Sequence, residues 1–200
     1  MATKKPPKRL VLLTPGAGSS STHSSLLAID SALVAAGTST GVDMIVHRMD
    51  FPYRLAGRRT PDRAPVCIAA IVDTIGELMM IHSIKADQIV LGGRSMGGRM
   101  CSMAIAEGLA ARALFCVSYP LHPPGRPDNL RVQHFPLINV ATLFVSGTRD
   151  AFGTPDEFAT HTRQISGPFT HEWLLGGDHG LAKCEAAVAS LVAEWVIALR

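Results

Sequence analysis

Gly93-x-Ser95-x-Gly97 stands directly after the apolar run Ile89-Val90-Leu91 and opens a helical pattern. A serine in that setting can serve as a nucleophile, its hydroxyl standing clear of a strand tip on a turn sharp enough to strain the backbone. Residues two before and two after it approach neighbouring backbone too closely to carry side chains, which glycine satisfies. Alone, the pattern is also that of a glycine-rich loop entering a helix, so the chemistry must be tested on its partners. A serine hydroxyl is a poor nucleophile at neutral pH. It needs a base, and the base needs an orienting carboxylate.

After a nucleophile on a strand-to-helix turn, the acid and then the histidine follow in chain order, each beyond a later strand. Asp150 falls just past the strand-like run Ala141 to Gly147. Asp156 and Glu157 lie near it, but Thr154-Pro155-Asp156-Glu157 reads as a capping box with proline at the first helical position. His161 falls inside that helix, and His171 begins the last strand, at the wrong end for the active edge. His179, in Gly176-Gly177-Asp178-His179-Gly180, follows the strand and sits where the base belongs. Acyl transfer further needs two backbone N–H groups aimed at a developing oxyanion. Met96, next to the nucleophile, is one candidate donor. Ala17, in the loop Thr14-Pro15-Gly16-Ala17-Gly18, is the other.

These residues require a scaffold of strands and helices in alternation. Strands are expected near 9–14, 42–50, 87–92, 113–119, 141–147 and 170–175, and helices near 22–36, 64–82, 95–108, 155–165 and 182–199. Ile89-Val90-Leu91 is continuously apolar, as in a parallel strand covered on both faces. Cys184, Val188, Leu191, Val192, Trp195, Val196 and Leu199 recur at three- and four-residue intervals, one apolar stripe on the last helix. The pattern predicts an α/β three-layer sandwich: a six-stranded, mostly parallel sheet with helices on both faces. If the strands ending at Thr14 and Leu91 are neighbours, they meet at a topological switch point, where ligands bind. The segment from Pro120 to Val140 holds five prolines and little helical periodicity, too little chain for a helical cap.

With 200 residues, 47% of them hydrophobic, the chain can bury one substantial core, so residues 9–200 are read as a single domain. The net charge is +3, and removing Lys4, Lys5, Lys8 and Arg9 leaves −1 for the body. A near-neutral body argues against a nucleic-acid-binding face, and residues 1–8 read as a disordered basic tail. Only Leu10 to Leu13 follow that tail before Thr14-Pro15-Gly16, too short for a signal-peptide core. No stretch is read as approaching membrane-spanning length, so no membrane partner is expected. Cys67, Cys101, Cys116 and Cys184 form no C-x-x-C pair and read as reduced core residues of a cytoplasmic protein.

No cofactor or metal is expected. Gly16-x-Gly18 lacks the third glycine of a dinucleotide-binding loop, since Ser21 stands in its place. Gly92 to Gly97 has P-loop spacing, yet Gly98-Arg99 replaces the Lys-Ser/Thr pair. No cysteine or histidine cluster has metal-ligand spacing.

The chain resembles a small, lidless α/β-hydrolase of the dienelactone-hydrolase-like type. Its closest likeness is to the branch containing testis-expressed hydrolase-like proteins and a subunit of a chromatin acetyltransferase complex. The matching stretches are Leu13 to Gly18, Phe51-Pro52-Tyr53-Arg54 with Gly57-Arg58-Arg59-x-Pro61, Gly92 to Arg99, Tyr119 to Gly125, Gly147 to Asp150 with Phe152 to Pro155, and Asp178-His179. The resemblance implies Ser95, Asp150 and His179 as the triad, as the spacing does. Two departures stand out. Dienelactone hydrolases proper use a cysteine nucleophile, so their substrate does not carry over. Pro15 stands where many hydrolases have histidine. The expected function is a serine hydrolase acting on a small ester, thioester or amide. The alternative is a hydrolase-fold scaffold that binds a partner without chemistry. Arg58, Arg59 and Arg63, expected on the active edge, and Arg94, inside the elbow, either attract an anionic acyl substrate or clamp loops, and clamping is the favoured reading. His122 either lines the pocket or bonds within its loop.

Overall fold

The structure, a computed structural model, describes residues 6–199. The strands β1 (Lys8–Thr14), β2 (Asp43–Arg48), β3 (Ile89–Arg94), β4 (Ala113–Val117), β5 (Ala141–Gly147) and β6 (Phe169–Leu174) form one sheet in the order β2-β1-β3-β4-β5-β6. Every pairing is parallel. Parallel neighbours need crossovers, and the crossovers supply the helices: α1 (Ser24–Thr40), α2 (Pro52–Leu55), α3 (Ala64–His82), α4 (Met96–Ala106), α5 (Pro155–His161) and α6 (Glu185–Ala198). The strand order reverses between β1 and β3, whose tips lie level, Thr14 beside Gly93. The crevice of an open parallel sheet lies there.

Alternation along each strand feeds two cores. Leu10, Leu12, Leu91, Leu114 and Phe144 pack with α3, α4 and α5. Val11, Leu13, Val90, Phe115 and Val145 pack with α1 and α6 on the other face. A strand buried on both sides must be apolar along its buried stretch, and β1 is from Leu10 to Leu13 and β3 from Ile89 to Leu91.

Local chemistry accounts for the differences from the expected boundaries. α6 begins at Glu185 rather than 182, because the Asp178 carboxylate accepts from the amides of Gly180 and Leu181, and Leu181 and Lys183 hold positive φ. Those residues are committed to a turn. α1 runs to Thr40 before Gly41 ends it. α5 is bounded as expected by its capping box: the Thr154 amide donates to Glu157 at 2.7 Å, and the Glu157 amide donates back to Thr154 Oγ1 at 3.4 Å. It tightens at Thr162–Gln164 into a 3-10 turn. The short α2 lay outside the expected helices; Pro52 starts it and four residues complete it.

Two expectations are corrected. The proposed basic tail spans residues 1–8, of which 1–5 lie outside the described residues. Lys8 opens β1, its Nζ donating to the His82 carbonyl, and Arg9 donates to the carbonyls of Val196 and Leu199 at the end of α6. Both cations clasp helix ends, where they satisfy orphaned carbonyls. The second correction is α3. With 19 residues and a mean hydropathy of 1.8 it is long and apolar enough to cross a membrane by length and composition. Here Cys67, Ile68, Ile71, Ile75 and Leu78 point into the core, as a helix lying against a sheet requires.

Candidate active site

Strand β3 ends at Arg94 and α4 starts at Met96, leaving Ser95 to make the whole turn. Its φ of 51° and ψ of −117° are strained for any residue with a side chain. The Ser95 amide donates to the Val117 carbonyl at 2.8 Å, which ties the strained residue to the tip of β4. The flanking glycines permit the turn. A Cβ at Gly97 would sit 2.6 Å from the Pro15 carbonyl and closer to that of Thr14. At Gly93 it would overlap the Thr14 hydroxyl.

The structure brings Ser95, Asp150 and His179 together. Asp150 follows the tip of β5 and is 1% exposed. His179 follows β6. Its Nδ1 lies 2.8 and 3.0 Å from the two Asp150 oxygens, and its Nε2 lies 2.9 Å from Ser95 Oγ. A carboxylate at Nδ1 fixes the imidazole proton there, so Nε2 is left to accept from the serine hydroxyl. Asp150 is itself held, accepting from the Phe152 amide at 2.8 Å. The Phe152 ring stacks on the imidazole, centroids 3.9 Å apart. Arg94 donates to the carbonyls of His179 and Gly180 at 3.1 Å and pins the histidine loop to the elbow. Burial lowers the Arg94 pKa, while Asp150, Asp178 and Glu185 oppose that fall.

The loop after β1 folds over the elbow. Ser19 donates from its amide to the Gly16 carbonyl, closing a turn, and Ser21 is held by Asp50 through its amide and hydroxyl. Tyr53, from α2, donates its hydroxyl to the Ala17 carbonyl at 2.8 Å. The amides of Ala17 and Met96 donate to no protein group among the described residues. Both flank a cleft of about 660 Å³ lined by Ser95, His179, Phe152, Pro61 and three arginines, Arg94, Arg99 and Arg131.

The profile of the family described as Alpha/beta hydrolase domain matches residues 7–196. The chain belongs to that family. Solved hydrolases share its shape. Dienelactone hydrolase from Anabaena variabilis superposes with a TM-score of 0.74 at 20% identity, over 97% of this chain and 88% of its own. Est1E from Butyrivibrio proteoclasticus, with ferulic acid bound, gives 0.72 at 15% identity over 96% and 89%. An alpha-beta serine hydrolase homologue from Coxiella burnetii gives 0.70 at 15% over 96% and 86%. At such identities the likeness is one of fold.

Within this α/β-hydrolase, the arginines divide differently from expectation. Arg58, Arg59 and Arg63 are exposed and do not line the cleft; Arg58 grips Asp62 with both terminal nitrogens, at 2.7 and 3.0 Å. Arg94 both clamps the His179 loop and lines the cleft. Arg99 and Arg131 were not singled out in the sequence. Arg99 is one helical turn beyond Ser95, a spacing that could have revealed it. Arg131 arrives on the long β4–β5 connection, and no local pattern marks it. His122 is resolved as a loop residue: Nδ1 meets the Pro123 carbonyl at 2.8 Å and Nε2 lies 3.2 Å from Glu157, away from the cleft. His171 packs in an aromatic group with Phe144, Phe158 and Trp173, and burial pushes its pKa down to about 3. Among the described residues no cluster has the makings of a metal site.

Proposed function

We propose that this α/β-hydrolase is a serine hydrolase that cleaves a small ester, thioester or amide through an acyl-enzyme. The observation that carries the reading is the continuous hydrogen-bond chain from Asp150 through His179 to a serine held at positive φ. In acylation Ser95 Oγ attacks the acyl carbonyl carbon as its proton passes to His179 Nε2. The carbonyl oxygen becomes an oxyanion, accepting from the free amides of Ala17 and Met96. Met96 N–H also lies at the N-terminus of α4, where the helix dipole favours negative charge. Collapse of the tetrahedral species breaks the bond to the leaving group, which takes the proton from His179. Water then repeats the cycle on the acyl-enzyme, returning the proton to Ser95. Asp150 stays ionised and stabilises the transient imidazolium.

Within the family, we place the chain beside the testis-expressed hydrolase-like branch on the strength of the six matching stretches. A reducing, cytoplasmic setting is part of the reading, since all four cysteines are free and three are buried. A fluorophosphonate probe tests the chemistry. Labelling of the wild type and its loss in Ser95→Ala, with the melting temperature held, is the expected result. An unlabelled wild type would favour the scaffold reading instead.

A further inference from the structure

Seven arginines of the described chain are partly buried; four of them grip a carboxylate or backbone carbonyls, and of the other three Arg54 lies outside the cleft. Arg48 pairs with Asp30 at 2.7 Å, Arg9 and Arg94 hold carbonyls, and Arg112 donates to the Asp87 carbonyl. Even exposed Arg58 is paired. Arg99 and Arg131 differ. Both line the cleft, and among the described residues neither guanidinium meets a carboxylate or makes a hydrogen bond. The Nε of Arg99 is buried without an acceptor. A buried donor left unmade costs stability, and its usual explanation is a group absent from the free protein.

The surroundings make the wall more cationic. Arg131 is desolvated, and the nearby Arg99 charge adds to burial in lowering its pKa. His134, beside them, is pushed down to about 4 by burial and by Arg99, so it is neutral and contributes no charge. Asp62 is the acid that lines the cleft, and Arg58 already holds both its oxygens. Asp150 is committed to His179, and Asp178 and Glu185 face Arg94. Two like charges beside the nucleophile, with no uncommitted carboxylate facing them among the described residues, are a place for one brought by a ligand. A carboxylate is planar and two guanidinium forks can share it.

We propose that Arg99 and Arg131 form an anion-binding wall of the cleft, and that the substrate carries a free carboxylate in addition to its scissile bond. The inference rests on the serine-hydrolase reading for its second half only; the anion site stands on the arginines themselves. It concerns the two arginines that the sequence did not nominate, and it leaves Arg58, Arg59 and Arg63 aside.

The test has two independent readouts. Glutarate should raise the melting temperature of the wild type where glutaramide does not, and added salt should erase the difference. In turnover, two arms locate the carboxylate: the mono-p-nitrophenyl ester of glutaric acid against p-nitrophenyl butyrate for the acyl side, and 4-acetoxybenzoate against its methyl ester for the leaving-group side. One arm should favour the anion by about 10- to 100-fold in kcat/KM, the scale of a charge-assisted hydrogen bond. Arg99→Gln and Arg131→Gln should each collapse that ratio toward one, and salt on the wild type does the same should either variant fold poorly. Equal stabilisation by glutarate and glutaramide would overturn the anion wall. Glutarate binding in a protein that no fluorophosphonate labels would keep the wall and sink the hydrolase reading. Labelling with both ratios at or below one would overturn the carboxylate substrate.

Discussion

Two clefts of nearly equal size open at opposite ends of the same sheet. One, of about 660 Å³, lies at the strand tips around Ser95; the other, of about 630 Å³, lies at the far ends, between Asp87, Ile105, Arg112, Asn139 and Leu199. Volume does not distinguish them. The first contains a strained serine, two free amides and a carboxylate–imidazole–hydroxyl chain. In the second, no side chain joins an acid, a base and a nucleophile, and Arg112 already spends a nitrogen on the Asp87 carbonyl. Parallel sheets place strand C-termini, with loops of variable sequence, at one end, and it is there that the chain tolerates strain.

The largest effect should come from the carboxylate. Asp150→Asn keeps the shape but removes the acceptor that fixes the His179 proton at Nδ1, and turnover should fall on the order of 10⁴-fold, by analogy with other triads. If Asp156→Asn were the damaging change instead, the acid has been misassigned. Gly97→Ala comes next. Its Cβ would meet the backbone carbonyls of Thr14 and Pro15, which cannot swing aside as a flexible side chain would. We expect a loss of about 1–3 kcal/mol in stability and a collapse of fluorophosphonate labelling. Gly18→Ala, where a Cβ meets nothing within 4 Å, is the matched control. Equal damage from both would show that the elbow packing is not what demands glycine at 97.

How much of this was legible in sequence follows from what is local. The elbow, the strand alternation and the α5 capping box are encoded over a few neighbouring residues, and β5 and α3 fall where the pattern puts them. That Ser95, Asp150 and His179 would meet was legible because chain order restricts where an acid and a base can stand. What was missed depends on distant approach. Tyr53 reaches Ala17 only because a four-residue helix after β2 folds back over the β1 loop. Arg131 joins Arg99 only because an irregular connection returns across α4. The clasp of Arg9 on α6 likewise joins the two ends of the chain. Nothing in spacing announces such contacts.

Chain length of the acyl group sharpens the contrast between the clefts. The β4–β5 connection carries one 3-10 turn, Phe135–Leu137, and the apolar wall beside Ser95 is made of Ala17, Pro61, Met96, Pro120 and Phe152. So small a wall can bury a few methylenes at about 0.8 kcal/mol each, and further carbons should add nothing. Among neutral p-nitrophenyl esters, kcat/KM should peak at acetyl or butyryl and fall for dodecanoyl. A series rising through dodecanoyl would reveal a long apolar groove. Smaller again is Tyr53→Phe. Losing one hydrogen bond frees the Ala17 peptide to tilt, and about 10-fold in kcat with KM little changed is the expected signature of an oxyanion donor out of line. A change confined to KM would instead place Tyr53 in substrate binding.

The smallest effect is the one the opposite cleft should give. Asn139 lines it with an exposed side chain that makes no hydrogen bond among the described residues. Asn139→Trp would fill the cleft with a large ring from a position where the ring can lie against Ile105 and Leu109 without entering the core. Stability should move by no more than about 0.5 kcal/mol, as at other surface sites. Turnover of a short-chain ester should stay within about twofold, because no group of that cleft reaches the strand tips. A tenfold fall would mean that the far cleft communicates with Ser95 or takes part in binding, and size alone would then have been the better guide.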